Sequence, residues 1–166
     1  MPTAAQALTF LERRVPRWAQ HAKRWFVQYL VPFNSRIGLR IEKISPDSSE
    51  VVLRLPYRRG NRNAVGTVHG GAIMTLAETV HGVAVLWQFP PALHAMFAKE
   101  SRLEFLTPGR GDLSVRFGLQ PEVRSRIAAD LDATGRCLIE LASVVTDHQG
   151  TEVARLTATY HIRRKR

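Results

Sequence analysis

Gly70 and Gly71 follow His69 where a loop of small and polar residues gives way to an apolar run. That junction can do chemistry. The first amides of a helix have no acceptor inside it and sit at the positive end of its dipole. Glycine lets a ligand approach the backbone closely. The N–H groups of Gly70 and Gly71 can therefore donate to a carbonyl oxygen and stabilise the oxyanion formed on attack. Glu78 lies seven residues after Gly71, two helical turns on, and shares a face with Gly71 and Thr75. It is the only Asp, Glu, Lys or Arg between Arg62 and Lys99. A lone carboxylate on an apolar helix is costly unless paired or used. Withdrawn from water, a carboxylate becomes a usable base. The same residues also fit a plain reading, a glycine helix start with Glu78 satisfied by a structural arginine.

Further residues carry weaker signals. His81 stands within a turn of Glu78 and is placed to hydrogen-bond it, although a histidine there is commonly a satisfied core or interface residue. His69, His81 and His94 match no zinc-ligand spacing, so no metal is expected. Lys99 and Glu100 read as a strand salt bridge, and Cys137, the only cysteine, as a small strand hydrophobe.

The elements that must position these residues follow from periodicity. Residues 69–88 place Ile73, Leu76, Ala77, Val80, Val83, Ala84 and Trp87 at helical spacing and carry almost no charge, so the helix is expected to be buried. Phe89-Pro90-Pro91 stops it. Alternating apolar residues predict strands from Leu39 to Ile44 and around 51–55, joined by a Ser45-Pro46-Asp47-Ser48 turn. Further strands are expected at 95–106, 112–119, 136–147 and 151–163, with a short helix over 121–133 closed by Gly135. Residues 3–30 read as a basic amphipathic helix interrupted by Pro16, with Trp18, Trp25 and Tyr29 on its apolar stripe. Strands in runs about one apolar helix predict an α+β fold, an antiparallel sheet wrapped around a long central helix. The expected division is a helical extension over 1–31 and one domain over 32–166.

Composition narrows the function classes. The 166 residues suit one domain, and 45% hydrophobic with 23% charged residues is globular. No apolar stretch of about 18 residues suggests a membrane span. The N-terminal charge order is the reverse of a secretory leader. A single cysteine forms no internal disulfide, so the expected location is cytoplasmic. The net charge of +10 invites anionic partners. The basic residues gather at both termini and at Arg58, Arg59 and Arg62, without a nucleic-acid motif, so nucleic acid is not an expected partner.

The string Asn63…His69-Gly70-Gly71…Leu76-Ala77-Glu78 resembles the signature of hotdog-fold thioesterases of the phenylacetyl-CoA thioesterase type, and the order of elements from Pro32 to Arg163 resembles that fold. The resemblance implies an acyl-CoA thioesterase assembled as a homodimer or homotetramer, with active sites between protomers and no cofactor. It implies that the amide at Gly71 or Gly70 polarises the thioester carbonyl. It also implies that Glu78, from across the interface, is general base or nucleophile, that Asn63 helps place the water or the acyl carbonyl, and that His69 orients the loop or hydrogen-bonds near the thioester. Many members carry Asp at the Glu78 position. An acyl pocket lined by Ile73, Met74, Leu76 and strand 95–106, with Thr75 and His81 beside it, would favour a fatty or aryl group. Arg58, Arg59 and Arg62 are placed to meet the coenzyme A phosphates. The basic, aromatic N-terminal helix could pack on the sheet, cover a second protomer, or touch an anionic membrane. The main alternative is a hotdog protein that binds acyl-CoA or lipid without turnover. A hydratase using His81 with Glu78 ranks lower.

Overall fold

The structure, a computed structural model, describes residues 31–90 and 93–165, so the expected helix over 3–30 lies outside the described residues. Pro32 starts a short helix, α1 (Pro32–Arg36), from a position that costs no hydrogen bond. A hairpin follows, β1 (Arg40–Ile44) and β2 (Val51–Leu55), and a single 3-10 turn over Arg59–Asn61. The long helix α2 spans Gly70–Gln88. Then come β3 (His94–Phe105), β4 (Leu113–Phe117), helix α3 (Pro121–Thr134), β5 (Arg136–Asp147) and β6 (Glu152–Arg164). Gly135, with φ of 71°, ends α3 in the left-handed conformation that glycine adopts at least cost.

The six strands form one antiparallel sheet in the order β1-β2-β4-β5-β6-β3, bent around α2. This is the expected α+β arrangement of strands about a central helix. Alternation explains the inner face: in β5, Cys137, Ile139, Leu141, Ser143 and Val145 are buried, while Arg136, Leu138, Glu140 and Ala142 are exposed. Opposite them, α2 buries Ile73, Leu76, Ala77, Val80, His81 and Ala84. In length and composition α2 is also apolar enough to cross a bilayer, with a mean hydropathy of 1.2 over 18 residues, which corrects the expectation that no stretch reaches that length. Here it is the core helix of the sheet.

Two features matter for a site. β3 is an edge strand twelve residues long that pairs with β6 alone among the described strands, and it is exposed along most of its length. Its register shifts between Ala98 and Glu100, so Lys99 sits in a bulge, and the expected Lys99–Glu100 ion pair is not among those formed.

The far end of the sheet is tightly closed. A Cβ added at Gly118 would lie 2.3 Å from the Ser49 carbonyl oxygen, an immovable backbone atom. Gly118→Ala is expected to lower the unfolding free energy by about 1–3 kcal/mol. Gly60→Ala, where a Cβ meets nothing within 4 Å, should stay within about 0.5 kcal/mol of wild type. Urea unfolding of both variants checks the pair, and equal midpoints would refute the close packing.

Candidate active site at the start of the central helix

His69 is extended (φ −63°, ψ 134°) and caps α2. Its Nδ1 accepts the Gly71 N–H at 3.0 Å, and its carbonyl accepts from Ala72 at 2.9 Å and Ile73 at 3.1 Å. The amide of Gly70 is left without an acceptor among the described residues. Of the two glycine amides put forward for a carbonyl, Gly71's is therefore held by its own loop in this structure. Gly70's is open.

Side chains approach both glycines closely. A Cβ on Gly70 would come within 2.9 Å of Phe105 Cζ, and one on Gly71 within 3.2 Å of His69 Nδ1. Two rings thus flank the helix start. Phe105 is a residue that the sequence did not single out, because an apolar side chain near a strand end is ordinary.

The loop leading in is built from short-range hydrogen bonds. Asn63 Oδ1 accepts from the amides of Val65 (3.1 Å) and Thr67 (3.0 Å), and its Nδ2 donates to Thr67 Oγ1 (2.8 Å). Both ends of the Asn63 amide are engaged within this turn. The His69 N–H donates to the Asn61 carbonyl at 2.7 Å. Asn61 is buried, and its Nδ2 donates to the carbonyls of Ile37 (2.7 Å) and Pro56 (2.9 Å), tying the loop to α1 and β2. Asp112 anchors the other side: it accepts the Tyr57 N–H at 2.6 Å and pairs with Arg54. The Tyr57 amide, followed by Arg54, holds its carboxyl below the usual carboxylate range.

The three loop arginines differ. Arg58 donates to the Arg36 carbonyl, and Arg62 stacks over Tyr57, 4.9 Å from the ring centre. Arg59 lies in the 3-10 turn, and all three side chains are exposed.

Along α2, Gly71, Met74, Thr75, Glu78, Thr79 and Gly82 form the stripe that the chain's own sheet does not bury completely. Thr75 Oγ1 donates back to the Gly71 carbonyl at 2.8 Å. Glu78 is half-buried on this stripe and has no hydrogen-bond or ion-pair partner among the described residues. The expected sharing of a face by Gly71, Thr75 and Glu78 is what the helix presents.

Three expectations need correction. His81 neither meets Glu78 nor opens to a ligand: it is fully buried, Nδ1 lies 2.9 Å from the Tyr160 hydroxyl, and its ring stands edge-on to Phe117 at 4.7 Å. Three residues past Glu78, the side chain has rotated off the open stripe into the core. Ile73 and Leu76 turn the same way, at 3% and 0% exposure, so they pack against the chain's own sheet. Only Met74 of the expected apolar lining remains part-exposed on the helix.

Electrostatics set the buried groups apart. Burial lowers the His81 imidazole to about 4, the Ala142 backbone opposing, and among the described residues no well-aligned hydrogen bond reaches its Nε2. Burial, and then the nearby Glu78 charge, push the Tyr160 phenol up. Burial, and next Asp130, raise the Cys137 thiol to about 11, away from the thiolate form that reacts. A shallow groove of about 760 Å³, lined by Phe97, Lys99, Arg136, Leu138, His161 and Arg163 among others, contains none of the motif residues.

Comparisons with known proteins agree with this architecture. Residues 19–162 match the profile of a family described as a domain of unknown function, DUF4442. A Pseudomonas aeruginosa protein of unknown function, described as a probable thioesterase, is 31% identical and superposes with a TM-score of 0.78 over 88% of this chain and 96% of its own. The phenylacetic acid degradation protein PaaI of Thermus thermophilus, in a mutant form, is 22% identical and shares the fold, with a TM-score of 0.57 over 79% and 98%. A candidate esterase of Halobacterium salinarum is 36% identical over 83 residues, 48% of this chain and 54% of its own length, so the match spans about half of that relative.

Proposed function

The chain belongs to the DUF4442 family and has the hotdog fold of the thioesterase superfamily, and from that premise we propose that it hydrolyses acyl-CoA thioesters. The observation that carries the proposal is the occurrence on α2 of an amide at Gly70 and a half-buried carboxylate at Glu78, neither with a hydrogen-bond partner among the described residues.

The chemistry follows from those two groups. The thioester carbonyl accepts the Gly70 N–H at the positive end of α2, which stabilises the charge that develops on its oxygen. Glu78 takes a proton from the attacking water, or itself attacks the carbonyl to give an anhydride that water then opens. The coenzyme A thiolate leaves, and the carboxylic acid is the second product.

One chain does not supply both groups to one carbonyl. Eight residues of α-helix separate Gly70 from Glu78, about 12 Å along the axis at 1.5 Å per residue. We therefore assign each site to two protomers, Gly70 from one and Glu78 from the other. The long edge of β3, unpaired on one side among the described strands, supports this, because unpaired strand edges are templates for pairing with another chain. The acyl group, fatty or aryl, lies between protomers beside Met74. The loop carrying Arg58, Arg59 and Arg62 meets the coenzyme A phosphates, Arg59 being the arginine of the three that the structure engages least.

The test is thiol release by purified protein from coenzyme A thioesters running from acetyl to palmitoyl, with aryl thioesters beside them. Turnover of at least one is expected. A folded protein that binds acyl-CoA but releases no thiol would replace the hydrolase with a non-catalytic acyl-CoA-binding protein.

A further inference from the structure

The ring edge of Phe105 stands beside Gly70, whose amide is the first-turn N–H of α2 without an acceptor among the described residues. Phe105 is a large apolar side chain left 58% exposed. Its Cζ, Cε1 and Cε2 stand 2.9, 3.3 and 3.8 Å from the position of a Cβ on Gly70, so the ring edge touches that glycine directly. The backbone that carries the ring is anchored. Phe105 pairs with Ala154 at the end of β3, and the next amide, Leu106, donates to the Val153 carbonyl at 2.9 Å. A side chain based on a rigid strand end holds its place better than one on a loop.

We infer that Phe105 is the specificity-determining residue of this site, selecting acyl groups by their bulk next to the carbonyl; the inference rests on the thioesterase reading. An oxygen that accepts the Gly70 N–H sits about 2.9 Å from that nitrogen. On this reading the carbonyl carbon and its first substituents lie within reach of the Phe105 ring edge, which closes on Gly70. A straight chain passes it. A branch at the carbon beside the carbonyl meets the ring and enters only if the ring swings away. Selection acts on branching, not on chain length, because atoms farther out have left the ring behind.

Butyryl-CoA and isobutyryl-CoA separate these effects, since they have the same atoms and differ only in that branch. Wild type should favour butyryl over isobutyryl in kcat/KM by about tenfold or more, the scale on which one misplaced methyl group discriminates. Phe105→Ala should bring the ratio close to one, and Phe105→Leu should leave it intermediate. A ratio that stays the same in both variants overturns the inference.

Gly70→Ala gives an independent reading. Its added Cβ needs the space that Phe105 Cζ occupies, so it should cost at least fivefold more kcat/KM in wild type than in the Phe105→Ala background. Equal losses in the two backgrounds would also overturn it. The ratio is read in Kd as well, by calorimetric titration with the two thioesters. Absence of turnover in wild type therefore removes the hydrolase reading alone, while an unchanged Kd ratio removes the role of Phe105.

Discussion

Glu78→Gln is expected to lower kcat/KM for the preferred acyl-CoA by about 10²- to 10⁴-fold, the usual contribution of a positioned general base. Three observations make the substitution clean. Glu78 lies on the open stripe of α2, it is half-buried, and among the described residues it holds no ion pair whose loss would strand a buried cation. Stability should stay within about 0.5 kcal/mol of wild type, as at sites without special partners. Acyl-CoA Kd should change little. Loss of turnover with binding intact is the signature of a group that acts in the transition state. Undiminished turnover would remove Glu78 from the mechanism. The two-protomer site adds a complementation arm. Gly70→Pro lacks the amide hydrogen, at a helix position where proline is accepted, although its ring also crowds Phe105. Mixed with Glu78→Gln, it should restore activity, because a mixed dimer holds one complete site. Two inactive proteins that stay inactive after mixing, with subunit exchange verified, would place Gly70 and Glu78 in separate roles.

His81 contributes to the expected acid sensitivity of the fold. Unfolded, its imidazole takes up a proton near pH 6.5; folded, burial delays this to about pH 4. Between those values the unfolded chain binds the proton and the folded chain does not. Stability from this group is therefore intact above about pH 6.5 and falls as pH drops toward 4. A gap of this size is worth about 3 kcal/mol when fully expressed. His81→Gln, which cannot take up the proton, should be less stable at pH 7 because the bond to the Tyr160 hydroxyl is disturbed. It should lose about 3 kcal/mol less than wild type between pH 7 and pH 4. Urea unfolding across that range reads the difference. Parallel curves for the two proteins would show that His81 takes up its proton as readily folded as unfolded.

The strands and both long helices were legible because their signals are local. Residues alternating at period two in 136–147 and at helical period in 69–88 mark which face is apolar, and Phe89-Pro90 and Gly135 mark where helices stop. The spacing from Gly71 to Glu78 also survives folding, since a helix carries residues seven apart onto one face whatever surrounds it. Periodicity is silent on partners. It placed His81 near the Glu78 face, yet three residues turn the helix by about 300°, and the pull of Tyr160 lies 79 residues away in β6.

The sequence alone determined the α+β class, the long apolar helix, the glycine pair at its start and the single carboxylate on its exposed stripe, because each depends on contacts within a few residues. Tertiary structure alone decided the rest. It put β3 at the sheet edge beside β6, left that edge unpaired among the described strands, assigned the Gly71 amide to His69 and set Phe105 against Gly70. Those outcomes depend on which distant strands pair and which side chain reaches an amide first. Many pairings satisfy the same apolar pattern, and the choice among them is made by the packing of the whole chain.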